Sequence, residues 1–144
     1  MTDPVPGQAA NAPEQIDMLE SLRRVEKEQA LFYRALAAEA EQSDPVIAQR
    51  FHDLHADEQH HLSRLTARVL ELGGRPLDLA SVTTEPANLA DWRSAVVARE
   101  ATEIALYREL LALAADPVTR ELLQEIHAVE EHHAAELGGK WTMA

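Results

Sequence analysis

Cysteine does not occur among the 144 residues of this chain. The chain therefore has no thiols for a disulfide, a zinc finger or an iron–sulfur cluster of its own. Basic residues are also few, because 13 lysines and arginines stand against 25 aspartates and glutamates, a formal net charge of −12. Nucleic acids and anionic membrane surfaces are bound through an excess of positive charge. The composition thus argues against both kinds of partner.

Long apolar runs are missing as well. No stretch approaches the roughly 18 consecutive apolar residues of a membrane-spanning helix. The first residues, MTDPVPGQAANAPEQ, show neither the basic start nor the apolar segment of a signal peptide. We therefore expect a cytoplasmic protein without a membrane span. Residues 1–13 hold three prolines and a glycine, which predicts a disordered tail before a single domain over 14–144.

Glycine is absent between this tail and Gly73, which leaves long segments with a helical spacing of apolar residues. Both short breaks read Asp-Pro-Val, at 44–46 and 116–118, where aspartate can cap a helix and proline suits its first position. These signals predict four helices, at about 14–42, 45–72, 88–115 and 117–137.

The connector at 73–88 is too long for a simple hairpin loop. Its 16 residues can extend over roughly 50 Å, and a helix of the predicted length measures roughly 42 Å. The connector can therefore follow the bundle from end to end. We predict an all-α four-helix bundle with one long crossover between helices 2 and 3.

The two helical hairpins repeat each other. Matching residues stand 72 positions apart in Asp44 and Asp116, Glu58 and Glu130, and His61 and His133, and 74 positions apart in Glu26 and Glu100 and in Tyr33 and Tyr107. Two extra residues in the first loop account for the change of offset. Helices 1–2 and 3–4 are therefore two copies of one hairpin, which argues against unrelated domains on either side of the crossover.

Helical spacing places acidic groups in the middle of four otherwise apolar faces. A step of about 100° per residue brings Glu-x-x-His onto the inner side of helices 2 and 4, and glutamates onto the inner sides of helices 1 and 3. The inner faces carry five glutamates and two histidines, namely Glu26, Glu58, His61, Glu100, Glu103, Glu130 and His133. No lysine or arginine lies on these faces.

Five buried carboxylates without a basic partner cannot all stay ionised, so protons or metal ions must neutralise them. Two divalent cations nearly balance five negative charges, and mixed carboxylate and imidazole ligands suit iron or manganese better than structural zinc. Tyr33 and Tyr107 lie on the same faces, either as core tyrosines or as hydrogen-bond partners of metal-bound carboxylates. Asp57 is placed to reach a metal-binding histidine from outside the set of ligands. Its repeat partner is Val129, so this role is not shared by both halves.

This arrangement resembles the ferritin-like di-iron carboxylate proteins, in which two helices supply glutamates and two supply Glu-x-x-His. Within that superfamily the sequence is most similar to rubrerythrin, in its stand-alone, erythrin-type form. The similarity rests on Glu26 followed by Tyr33, on Glu100 followed by Glu103, and on the segments ADEQHHLSRL and AVEEHHAAEL. It implies that the seven residues above bind two iron ions, with manganese or a mixed centre as alternatives. It also implies that one iron shifts between His61 and Glu103 on oxidation.

The resemblance further implies a function. A rubrerythrin-like centre reduces hydrogen peroxide to water in defence against oxidative stress. This chain lacks the four-cysteine rubredoxin domain that rubrerythrins usually carry, so an external donor such as a rubredoxin-like protein would supply the electrons. The alternative is a ferritin-like ferroxidase that oxidises ferrous iron, with dioxygen or peroxide, and stores it. The resemblance favours a homodimer over a large shell, including a dimer whose subunits exchange helix hairpins about the hinge 73–88.

Overall fold

Four α-helices make up most of the computed structural model, which describes residues 12–114 and 116–137. They are α1 (Ala12–Ala40), α2 (Pro45–Glu71), α3 (Trp92–Leu113) and α4 (Pro117–Leu137), and a 3-10 turn at Leu89–Asp91 directly precedes α3. The described residues contain no strand, so the all-α prediction is confirmed. None of these helices is long and apolar enough to cross a bilayer.

The helix ends differ from the prediction in several places, by one to four residues. Helix α1 already includes Ala12 and Pro13, because a proline in the first turn has no intrahelical donor to lose. The rest of the predicted tail and the last seven residues of the predicted domain lie outside the described residues. Helix α1 ends at Ala40, two residues early. Helix α3 begins late, because the side chain of Asn88 accepts a hydrogen bond from the N–H of Ala90 at 2.9 Å and starts the 3-10 turn instead.

Both Asp-Pro-Val segments begin a helix, as predicted. Asp44 accepts a hydrogen bond from the N–H of Ile47 at 3.1 Å, and Asp116 accepts one from the N–H of Thr119 at 3.0 Å. The second cap has further partners, since Asp116 also accepts from the Thr119 hydroxyl at 2.7 Å and from Nη2 of Arg68 at 2.6 Å. Asp116 therefore ties the start of α4 to α2 as well as capping it.

Each hairpin lies against the other. Helix α1 packs along α2 and α3 along α4, and α1 also contacts α3 while α2 contacts α4. Tyr33, late in α1, bonds to Glu100, early in α3, whereas Tyr107, late in α3, bonds to Glu26 of α1. Helices α1 and α3 are therefore antiparallel, and the matching inner faces of the two repeats meet in the middle of the bundle.

The segment between α2 and α3 runs the length of the bundle. Gly73 has a φ of 86°, a left-handed conformation open to glycine, and turns the chain away from the end of α2. Helix α3 starts at the opposite end, where the ring of Trp92 packs edge-on against Phe51 of α2 at a centroid distance of 5.0 Å. The predicted long crossover is thus confirmed.

Arg23 is buried but binds the crossover rather than the acidic centre. Its Nε donates to Oγ1 of Thr66 at 2.9 Å, and its Nη1 donates to the carbonyl of Leu77 at 3.2 Å. Glu20 pairs with Arg23 and accepts the N–H of Leu77 at 2.7 Å. These contacts occupy the hydrogen-bond donors of the Arg23 guanidinium, so its charge is not directed at the glutamates of the inner faces.

Apolar side chains form two clusters, one towards each end of the bundle. One contains Phe51 and Trp92, and the other contains Leu65. The predicted acidic middle lies between them and is buried. The buried face of α1 is wide, since Leu19 is fully buried while the neighbouring Met18 is partly exposed. Helix α1 packs against two helices and the crossover at once, so more than one narrow stripe of it is covered.

The two capping aspartates should differ in their contribution to stability. Asp44→Ala removes one cap hydrogen bond and is expected to lower the free energy of unfolding by about 1 kcal/mol. Asp116→Ala should cost roughly 2 kcal/mol, because the bonds to the Thr119 hydroxyl and to Arg68 are lost as well. Denaturant unfolding of the two metal-free variants measures both losses. Equal losses, or a larger loss for Asp44, would contradict these cap assignments.

Candidate metal centre

Six of the seven predicted ligands come together in the buried middle of the bundle. Their ligand atoms form two groups in which all atoms lie within 4.8 Å of one another: Glu26, Glu58, His61 and Glu130 in one, and Glu58, Glu100, Glu130 and His133 in the other. The sequence repeat relates the two groups, since each half supplies one Glu-x-x-His pair and one further glutamate. Glu58 and Glu130 belong to both groups, so they lie between two positions at which a cation could bind.

Both histidines turn the same ring nitrogen towards this centre. Nδ1 of His61 lies 2.9 Å from Oε1 of Glu130 and 3.6 Å from Oε2 of Glu26. Nδ1 of His133 lies 3.6 Å from Oε2 of Glu130 and 3.7 Å from Oε1 of Glu58. Neither nitrogen makes a hydrogen bond in these contacts. The ring nitrogens and the carboxylates therefore converge on one shared space.

Buried acceptors without partners surround that space. Within the described ranges, both carboxylate oxygens of Glu58, Glu103 and Glu130, and one oxygen each of Glu26 and Glu100, are buried without a hydrogen bond. An unsatisfied buried polar atom is costly, and native proteins contain few of them. Acceptors that converge without donors are satisfied by a cation, and carboxylate oxygens with imidazole nitrogens suit iron or manganese. The residues present thus fit two divalent metal ions.

Two tyrosines hold the outer glutamates from the opposite hairpin. The hydroxyl of Tyr107 in α3 donates to Oε1 of Glu26 in α1 at 2.6 Å, and the hydroxyl of Tyr33 in α1 donates to Oε1 of Glu100 in α3. Each bond fixes one carboxylate oxygen and leaves the other unpartnered. The sequence places both tyrosines at the level of the glutamates, but it does not show that each one bonds across to the other hairpin.

Burial makes the carboxylates retain protons when no cation is near. It raises the pKa of Glu100 from the usual 4.5 to about 10, and the charge of Glu130 adds to this rise. Burial and neighbouring glutamates also raise the pKa of Glu58 and of Glu103. Since a metal ion binds the deprotonated form, protons and metal ions compete for these groups.

The pKa values of the histidines and of Glu130 shift against the effect of burial. Burial by itself would lower the pKa of His61, but its contacts with Glu130 and Glu26 raise that pKa from 6.5 to about 9. Burial would raise the pKa of Glu130, yet the neighbouring rings of His133 and His61 hold it well below its usual value. In the metal-free protein, Glu130 is therefore the ionised carboxylate that the two imidazoles stabilise.

A family model of ferritin-like domains matches residues 44–140, more than half of the chain. The chain belongs to the ferritin family. The predicted ferritin-like bundle is thus confirmed, whereas the closer similarity to rubrerythrin stays a prediction. A comparison of this ferritin-like sequence with curated proteins finds no match.

Solved structures share the ferritin-like bundle. Bacterioferritin from Desulfovibrio desulfuricans, solved with its di-iron site in different catalytic states, gives a TM-score of 0.83 at 20% identity over 90% of this chain and 78% of that one. Bacterioferritin from Rhodobacter capsulatus, solved with a metal-free dinuclear site and haem iron, gives 0.80 at 22% identity over 91% and 84%. The Dps protein from Vibrio cholerae O1 gives 0.79 at 16% identity over 90% and 89%. At these identities the likeness establishes the fold.

Glu103, the seventh predicted ligand, lies beside the two groups and belongs to neither. Its carboxylate is buried and unpartnered, and after burial the charge of Glu26 does most to raise its pKa. Its repeat partner Gln29 is held by Arg99, whose Nε donates to the amide oxygen at 2.6 Å. Sequence reasoning missed Arg99, because this residue stands off the inner face and its repeat partner is Val25.

The metal-free ferritin-like bundle should lose stability as the pH rises from about 6.5 to about 9. Glu100 and His61 have raised pKa values in the folded chain, so the folded state binds more protons than the unfolded state in this window. Raising the pH must then lower the free energy of unfolding. With divalent metal bound, these groups are already deprotonated, and the fall should disappear. Melting temperatures of both forms across this range test the expectation, and a metal-free protein that gains stability would contradict it.

Proposed function

We propose that this protein is a ferroxidase that binds two ferrous ions in the bundle core and oxidises them for iron storage. The observation that carries the proposal is the pair of groups that share Glu58 and Glu130. This sharing sets two cations side by side, where each can lose one electron to the same oxidant. Membership of the ferritin family and the likeness to bacterioferritins support the proposal.

Iron is the substrate in this reaction. Two ferrous ions give one electron each to dioxygen, which takes up two protons and leaves as hydrogen peroxide. The positive charge in the core rises from +4 to +6, while the four glutamates of the two groups supply negative charge. Because these carboxylates are buried, their attraction for the ions is weakly screened. The residues therefore stabilise the ferric product more than the ferrous substrate.

The other residues keep the ligands in place. Tyr33 and Tyr107 hold one oxygen of Glu100 and of Glu26, so the second oxygen of each stays aimed at the centre. The apolar clusters on both sides exclude water from the ends of the bundle. Side chains fixed in this way lose little further freedom when iron binds.

A second candidate function is the rubrerythrin-like reduction of hydrogen peroxide, which the spare carboxylate of Glu103 favours. In this case the six residues of the two groups would hold the two metals, iron by preference and manganese or a mixed pair otherwise, as a redox cofactor that would supply two electrons. Peroxide takes these electrons and two protons to give two waters. An external donor such as a rubredoxin-like protein would then restore the electrons. Glu103 would offer an extra negative charge when the metals are oxidised.

The first test counts ferrous ions. Anaerobic titration of the metal-free protein should saturate near two per chain. Glu58→Gln should abolish tight binding at both positions, because this glutamate belongs to both groups. The control Glu71→Gln removes a carboxylate from an exposed position on the same helix and should bind like wild type. Saturation at one ion, or unchanged binding in Glu58→Gln, would contradict a two-metal site.

The second test separates the two functions through the oxidant. A ferroxidase for storage should oxidise many ferrous ions per chain with dioxygen. A peroxide reductase should stop near two per chain and react much faster with peroxide than with dioxygen. Stopped-flow oxidation with each oxidant, at increasing iron loads, distinguishes the two. The native mass is an independent measurement of the same difference. A large hollow assembly fits storage, whereas the homodimer expected from the sequence, with or without exchanged hairpins, fits the rubrerythrin-like proposal.

Glu103→Gln supplies a third test. The variant nearly keeps the shape of the side chain but removes its charge. If Glu103 stabilises the oxidised pair, oxidation by peroxide should slow by about tenfold or more while two ferrous ions still bind. If the protein acts as a plain ferroxidase on the two groups alone, the rate should stay within about twofold of wild type. Loss of both bound ions would instead make Glu103 a required ligand and contradict both readings of its role.

A further inference from the structure

The two halves of the centre differ outside the ligands themselves. Nε2 of His133, the ring nitrogen that faces away from the centre, lies 2.9 Å from Oδ2 of Asp57 and forms a hydrogen bond with it. A metal ion bound at Nδ1 requires that nitrogen to be unprotonated, so Nε2 carries the proton and donates it to the carboxylate. Asp57 therefore fixes both the tautomer and the ring orientation that metal binding at His133 needs.

His61 lacks this support. The repeat partner of Asp57 is Val129, whose side chain has no hydrogen-bond acceptor. In the ranges 12–114 and 116–137, no hydrogen bond joins Nε2 of His61 to another residue. The two histidines thus offer the same atom to the centre, but only the ring of His133 is tethered from behind within the part of the chain that is described.

We propose that Asp57 is a positioning residue that makes the two metal positions unequal: the ion at His133 binds first and is retained, and the ion at His61 binds more weakly and exchanges. The inference rests on the proposed two-metal site. A carboxylate behind a ligating histidine raises the basicity of the ligand and removes the cost of ordering the ring. Such outer partners typically change metal affinity by about 10- to 100-fold.

The spare carboxylate of Glu103 belongs to neither group and is buried without a hydrogen-bond partner. Apart from burial, the charge of Glu26, which belongs to the His61 group, acts most strongly on Glu103. The repeat partner of Glu103 is the amide Gln29, so the two halves differ in this carboxylate as well. This inequality is not visible in the ligand set, which the repeat makes symmetric.

A merely structural role for Asp57 has different consequences. The Asp57 side chain is about half exposed, whereas that of His133 is almost fully buried. If the bond only joined α2 to α4, its loss would lower the melting temperature without favouring one metal-binding step. Asp57 lines a recess open to solvent, so truncating it leaves no buried cavity and the variant should fold.

Stepwise titration of the metal-free chain with cobalt(II), followed by calorimetry and by the visible spectrum, tests the inference. Wild type should bind two ions with dissociation constants that differ by about 10- to 100-fold. Asp57→Ala should weaken the first step by that factor, change the spectrum of the first bound ion and leave the second step unchanged. Asp57→Asn keeps an acceptor oxygen and should restore part of the loss. Val129→Asp places an acceptor behind His61 and should strengthen the second step.

Asp53→Ala is the matched control, because Asp53 is an exposed aspartate one turn earlier on the same helix and bonds to Gln49 at 3.0 Å. It removes the same charge without touching a ligand and should titrate like wild type. Two wild-type steps of equal affinity, equal weakening of both steps in Asp57→Ala, or the same effect in Asp53→Ala would overturn the inference. Fewer than two cobalt ions bound by wild type would overturn the two-metal site itself, so the two failures are distinguishable.

Discussion

Five glutamate carboxylates share one buried space with no lysine or arginine on the faces that enclose it. Such a core can exist in two neutralised states. In one, protons occupy Glu58, Glu100 and Glu103, and Glu130 pairs with two imidazoles. In the other, divalent cations replace those protons. The convergence of unpartnered oxygens towards the middle shows that the side chains are arranged for the second state.

The rest of the fold supports this costly centre. Two apolar clusters supply hydrophobic stabilisation on either side of it, and tyrosines bonded across the hairpins hold the outer glutamates open. The antiparallel contact between the two repeats brings equivalent residues together about an approximate two-fold axis. That symmetry turns one Glu-x-x-His motif into a pair of sites with shared carboxylates. Arg23 and Glu20 of α1 bind the crossover at Leu77. The crossover carries the chain to the opposite end of the bundle, so that α3 starts where it can pack antiparallel to α1.

Much of this could be predicted from the sequence because two periodicities coincide. Helical spacing identifies the inner faces, and the offset of 72 to 74 residues identifies which glutamates and histidines correspond. The contacts of Arg23 and Arg99 escaped prediction, because they depend on the path of an irregular crossover and on a residue off the inner face. The exclusion of Glu103 from both groups escaped it too. Helical spacing gives the direction of a side chain, whereas the few ångströms that separate a ligand from a neighbour depend on how the helices pack.

Ferroxidase and peroxide reductase activities can use the same six ligand side chains. They differ in the fate of the metal, which is passed on for storage in the first and stays bound in the second. Both activities depend on two cations that share Glu58 and Glu130 as ligands. X-ray diffraction at the iron absorption edge, from crystals grown anaerobically with ferrous iron, examines this point directly. The expected result is two anomalous peaks about 3.5–4 Å apart, one beside His61 and one beside His133, with both shared glutamates between them. A single peak, or iron found only on surface carboxylates, would contradict the account.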